Sequence, residues 1–148
     1  MELRHILQRA AQRGRDASLA YAGEVTPQEA YNLFSGHHAK IIDIRSRFEY
    51  QYIGHIPDTP LVSWKYWPSG ETNSHFLPEL RAHCATDEIV LFLCRSGIRS
   101  HATSRIAAAA GFGQTFNILE GFEGDLDLTG QRGNIGGWRK AGLPWVQD

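Results

Sequence analysis

The chain has 148 residues, with 15 Lys and Arg against 16 Asp and Glu, a formal charge of −1. That length suits one ordinary domain, and the charge balance argues against a nucleic-acid module, which carries a basic surplus. A hydrophobic content of 42% argues against a disordered tail, and two cysteines are too few for a disulfide scaffold.

The first residues place Leu3, Ile6, Leu7 and Ala10 on one helical stripe, with Gly14 as a stop. Arg4, His5, Gln8 and Arg9 interrupt every apolar stretch that an export leader needs, so a cytoplasmic location is expected. No apolar run reaches the roughly 18 residues of a membrane span. Residues 1–22 are read as an N-terminal helical extension and residues 23–148 as the domain proper.

Gly23-Glu24-Val25 reads as a short strand. Thr26-Pro27-Gln28-Glu29 then reads as a helix start, with Thr26 as cap, Pro27 in the first turn and Glu29 completing a capping box. Lys40 to Ile44 is a strand buried on both faces. Ser46 to Tyr52 gives one or two helical turns, and a third strand is expected around Leu61-Val62-Ser63. Trp64 to Asn73 reads as a loop, and Phe76 to Ala85 as a helix. Glu88 to Leu93 is the strongest strand signal, Ser100 to Ala110 a helix, and Thr115 to Leu119 a further strand. The Gly-rich tail should be ordered by Trp138 and Trp145. Short apolar strands alternating with helices predict an α/β fold with a parallel sheet covered on both faces. In such sheets, reactive groups sit beyond the carboxyl ends of the strands.

Cys94 occupies that position, at the end of the strongest strand and just before a helix. The loop Cys94-Arg95-Ser96-Gly97-Ile98-Arg99-Ser100 can activate a thiol. Loop amides and the helix N-terminus project positive charge toward the sulfur, and Arg95 and Arg99 add full charges. Gly97 allows tight curvature. The alternative is a buried strand-end thiol with two arginines in solvent.

This loop resembles the active-site loop of the rhodanese-like sulfurtransferases. Asp43-Ile44-Arg45-Ser46-Arg47-Phe48-Glu49-Tyr50 followed by Gly54-His55-Ile56 is similar to a second family segment. So are Gly111-Phe112 with Asn117-Ile118-Leu119-Glu120-Gly121-Phe122, and the closing Gly137-Trp138-Arg139-Lys140-Ala141-Gly142-Leu143-Pro144. The resemblance runs from about Val25 to the end of the chain. It implies a sheet of five parallel strands with helices on both faces. It also implies that Cys94 takes a sulfane sulfur from thiosulfate or a related small anionic donor as a persulfide. A thiol or cyanide acceptor, or a sulfur-acceptor protein, then removes it. Arg95, Ser96, Gly97, Ile98, Arg99 and Ser100 are the expected donor-binding residues, through backbone N–H groups and the two guanidinium charges. No metal, organic cofactor, nucleic acid or membrane is implied.

Two other readings are carried. A Cys-dependent phosphatase or arsenate reductase needs Cys-x5-Arg, but here the sixth residue after Cys94 is Ser100 and Arg99 stands one position early. A non-catalytic or persulfide-carrying binding module is the other. The chain also departs from the family at Asp58-Thr59-Pro60 and at Trp64, Tyr66 and Trp67, aromatics that either wall the site or close the sheet edge. Cys84 reads as a core thiol. The seven histidines show no His-x3-His spacing for a metal. Asp43, Arg45 and Glu49 read as one structural ion network. Glu120, Glu123 and Asp125 are expected to point away from the site, because inward carboxylates would repel an anion.

Overall fold

A computed structural model describes residues 2–148. The strands β1 (Gly23–Val25), β2 (Lys40–Asp43), β3 (Val90–Leu93) and β4 (Thr115–Ile118) form one parallel sheet in the order β1-β4-β3-β2. Register is fixed by pairs such as Ile41 with Leu91, Leu91 with Phe116, and Val25 with Ile118. Four helices flank it: α1 (Glu2–Asp16), α2 (Pro27–Ser35), α3 (Phe76–His83) and α4 (Ile98–Ala109).

Alternation along the strands builds two apolar layers. Ile41, Leu91, Leu93, Phe116 and Ile118 join Ile6 and Ala10 of α1, Leu33 of α2, and Trp138. Ile42, Ile44, Val90, Phe92 and Cys94 join Phe76 and Leu80 of α3 and Ala107 of α4. Each fully buried side chain of this size stabilises by about 1.5–3 kcal/mol, well above any strand propensity, so the layers set the register. The same alternation turns Cys94 toward the α4 side of the sheet.

The sheet has four strands, not the five expected. The segment around Leu61 contributes a single bridge, to Asp43. The Asp43 N–H donates to the Pro60 carbonyl at 3.1 Å, and the Val62 and Trp64 N–H groups donate to the Asp43 and Ile44 carbonyls at 2.9 and 3.0 Å. Pro60 has no N–H to return, and the Ser63 hydroxyl turns back to the Arg45 carbonyl. The pairing therefore stops after one residue.

The Thr26 capping box forms as the sequence predicts, with Glu29 N–H on Thr26 Oγ1 at 3.2 Å and Thr26 N–H on Glu29 Oε1 at 2.9 Å. Glu29 has a second role, because Arg9 and Arg13 of α1 reach it at 3.0 and 2.7 Å. Helix α1 runs past Gly14 to Asp16. Gly14 is no stop. A Cβ there would lie 2.9 Å from the Ala22 carbonyl oxygen, so the residue permits close contact between α1 and the chain entering β1. The predicted turn after Ser46 is a π-helical turn over Glu49–Ile53. The tail is ordered by Trp138, which is fully buried with its indole N–H on the Pro144 carbonyl at 2.8 Å. Trp145 packs edge-on to Phe122.

Candidate active site

The Cys94 loop leaves the end of β3 and enters α4. Gly97 sits at the cap position of α4 with φ +107°, a conformation that side chains beyond Cβ rarely tolerate. The turn points two backbone donors at one atom. The N–H groups of Gly97 and Ser100 approach Cys94 Sγ at 3.1 and 3.4 Å. The Ser100 hydroxyl lies 3.2 Å from the same sulfur. Cys94 itself is 1% exposed, so its sulfur sits on the floor of the loop.

The loop is braced from behind by the turn after β4. Phe122 N–H donates to the Cys94 carbonyl at 2.8 Å, and Glu123 N–H donates to the Arg95 carbonyl at 2.9 Å. Gly121 has φ +63°, and a Cβ there would stand 2.5 Å from the Arg95 carbonyl carbon. From β4 itself, Asn117 Nδ2 donates to the Gly97 carbonyl at 3.1 Å, and Asn117 Oδ1 accepts from the Ser100 hydroxyl at 2.5 Å.

Of the predicted site residues, Cys94, Gly97 and Ser100 converge on the sulfur. Arg95 is exposed and its side chain lines a cleft over the loop, as does Arg99. Ile98 is exposed and Ser96 half-buried, with neither seen to touch the sulfur. Arg99 is committed elsewhere. Its two terminal nitrogens meet both carboxylate oxygens of Glu49 at 2.8 Å. Burial alone pushes the Glu49 carboxyl up, but the hydrogen bonds and charge of Arg99, with help from Ser46, outweigh it and hold the group at about 2.

Glu49 is therefore not part of one network with Asp43 and Arg45. Those two form their own pair, both side chains fully buried, with Arg45 Nη2 on Asp43 Oδ2 at 2.6 Å and on the Gly54 carbonyl at 2.7 Å. The Arg45 guanidinium also lies over the Phe122 ring, 4.3 Å from its centre.

The cleft measures about 470 Å³ and is lined by Phe48, Lys65, Tyr66, Trp67, Arg95 and Arg132, among others. Trp67 and Tyr66 thus wall the cleft beside the loop, whereas Trp64 packs edge-on against Phe76. Glu123 lines the cleft too, contrary to the expectation that the acidic residues after β4 point away. Arg139 lies 3.8 Å from the Glu123 carboxylate and offsets its charge. Glu120 does turn aside, accepting from the Gly137 N–H at 2.9 Å. Cys84 ends α3, where burial pushes its thiol up to about 11, away from nucleophilic use. Among the described residues no helix is long and apolar enough to cross a membrane.

Sequence reading did not find Asn117, Lys65 or Arg132 at the site. Only Asn117 carries a signal, a lone amide inside the buried strand Thr115-Phe116-Asn117-Ile118. Such a group needs partners.

A family model of the rhodanese-like domain matches residues 26–126. The chain belongs to the rhodanese-like domain family. An uncharacterised protein of Rickettsia conorii is 32% identical over 123 residues, covering 79% of this chain and 91% of the relative. The thiosulfate sulfurtransferase GlpE of Actinobacillus pleuropneumoniae serotype 7 is 26% identical over 121 residues, covering 82% and 90%. The crystal structure of Rv0390 from M. tuberculosis is 38% identical with a TM-score of 0.78, covering 86% of this chain and 99% of that one. A polysulfide-sulfur transferase homodimer from Wolinella succinogenes shares the rhodanese fold at 19% identity and a TM-score of 0.58, over 93% and 89% of the two chains.

Proposed function

We propose that the protein is a sulfurtransferase that carries sulfur as a persulfide on Cys94, with thiosulfate or a related small anion as donor. The observation that carries this reading is the pair of N–H groups, from Gly97 and Ser100, aimed at Cys94 Sγ where β3 gives way to α4. The Cys94 thiolate attacks the outer sulfur of thiosulfate. A bond forms between the two sulfurs, the sulfur–sulfur bond of the donor breaks, and its electron pair leaves with sulfite. The anionic persulfide keeps the two amide donors. An acceptor thiol or cyanide then attacks the outer sulfur and frees the thiolate.

Donor charge is met by Arg95, whose guanidinium forms no ion pair with a carboxylate among the described residues. Arg99 contributes a charge that Glu49 largely offsets. The cleft is larger than thiosulfate needs, and its walls of Phe48, Tyr66 and Trp67 suit an acceptor with an apolar body or one carried on a protein. The phosphatase reading is disfavoured, because the sixth residue after Cys94 is Ser100 and not the Arg of Cys-x5-Arg.

Incubation with thiosulfate should add one sulfur, about 32 Da, to the peptide holding Cys94. Cys94→Ser should take up none, and cyanide should remove the sulfur as thiocyanate. Hydrolysis of para-nitrophenyl phosphate without sulfur uptake would overturn the proposal.

A further inference from the structure

The Ser100 hydroxyl is fully buried and has one proton. Two acceptors compete for it, Asn117 Oδ1 at 2.5 Å and Cys94 Sγ at 3.2 Å. The orientation of Asn117 is not free. Its Nδ2 donates to the Gly97 carbonyl at 3.1 Å, and a flipped amide would set two oxygens face to face. Oδ1 is thereby aimed at Ser100. While the proton points to Asn117, Ser100 offers the sulfur only a lone pair, which suits a thiol S–H. Beyond its two backbone donors, a thiolate gains a hydrogen bond from this hydroxyl only if the hydroxyl rotates and leaves Asn117.

We propose that Asn117, on β4 and outside the Cys94 loop, is a positioning residue that tunes the reactivity of Cys94 by competing with its sulfur for the Ser100 proton. This rests on Cys94 being the nucleophile. No proton changes molecule in the switch. The hydroxyl turns about its C–O bond, and the thiol proton leaves to solvent.

Other charged groups stand near the loop. Arg99 of α4 feels the charges of Cys94 and Asp43, and Glu49 of the π-helical turn is paired to Arg99. Arg95 lies in the loop, Arg45 is paired to Asp43 at the end of β2, and Glu120 follows β4. Tyr21 lies against Asn117 and bonds His101 Nδ1 at 2.6 Å. All are common to the variants compared below, so they cancel in the differences.

The test is the pH profile of alkylation by iodoacetamide, with the Cys94 peptide followed by mass spectrometry. It needs no sulfur donor, so it can fail or succeed independently of sulfur transfer. Asn117→Ala frees the hydroxyl for the sulfur. Alkylation at neutral pH should rise about three- to tenfold, and the profile should move to lower pH. In a Ser100→Ala background the same replacement should lose most of this rise, since the coupling runs through the hydroxyl and only the bond to the Gly97 carbonyl is left to lose. Asn117→Asp keeps the acceptor, adds a negative charge and loses the donor to the Gly97 carbonyl, and should slow alkylation. The unaltered protein gives a second measurement. The Asn117 side-chain amide resonances should move with the same pH midpoint as alkylation. Unchanged or slower alkylation in Asn117→Ala, a rise of equal size without Ser100, or a flat amide titration would each overturn the proposal.

Discussion

Two arginine–carboxylate pairs stand near the end of β2 and the Cys94 loop, and they differ in one respect. Asp43 and Arg45 are sealed, with both side chains fully buried. Glu49 and Arg99 sit at the cleft, with side chains 16% and 25% exposed. The chemistry is the same and the surroundings are not. A sealed pair cannot trade its partner for water, so it holds the strand end in one arrangement. A pair at a cleft can lend one member to an incoming anion, so it bears on what the cleft binds.

The sharpest way to break this contrast is to remove half of the sealed pair. Arg45→Met leaves Asp43 buried and unpaired, and unfolding in urea should show a loss of about 3–5 kcal/mol. Acid comes next. Glu49 and Glu29 are both held at about 2 in the folded protein against an ordinary 4.5. A depressed folded value stabilises above the unfolded value, so their contribution is complete above pH 4.5 and fades as pH falls toward 2. Each should account for on the order of 2 kcal/mol of that loss, and Glu49→Gln or Glu29→Gln should flatten the stability curve over this window.

At neutral pH, Glu49→Gln should cost only about 1–2 kcal/mol while changing the KM for thiosulfate several-fold. Arg99 would then carry its charge uncancelled into the cleft. If Glu49→Gln proved as destabilising as Arg45→Met, the distinction between the pairs would fail. The smallest effect belongs to Lys40 and Glu88, a pair 3.1 Å apart with side chains 47% and 37% exposed. Lys40→Met should change stability by no more than about 0.5 kcal/mol.

What the sequence made legible was local. The Thr26 capping box needs residues three apart, and both of its bonds form. Cys94 was legible because an apolar strand ends there and a basic loop begins. What it hid lies far apart in the chain. Glu49 and Arg99 are 50 positions apart, and nothing local to either announces the other. Asn117 and Ser100 are 17 apart, on adjoining elements. Gly14 looked like a helix stop because close contact with Ala22 depends on how α1 lies on β1. The missing strand shows the opposite limit. Leu61-Val62-Ser63 has the apolar character of a strand, but Pro60 and the Ser63 hydroxyl end its pairing after one bridge.

Gly121 carries a consequence for how the cradle comes into being. Its missing side chain leaves just enough room for the backbone of Cys94 and Arg95 to rest against it. The curvature around the sulfur is thus moulded against a stretch of chain more than twenty residues downstream. A peptide cut out as Cys94 to Ser100 would lack that mould. The reactive shape belongs to the assembled sheet, and it arises only once the last strand has docked.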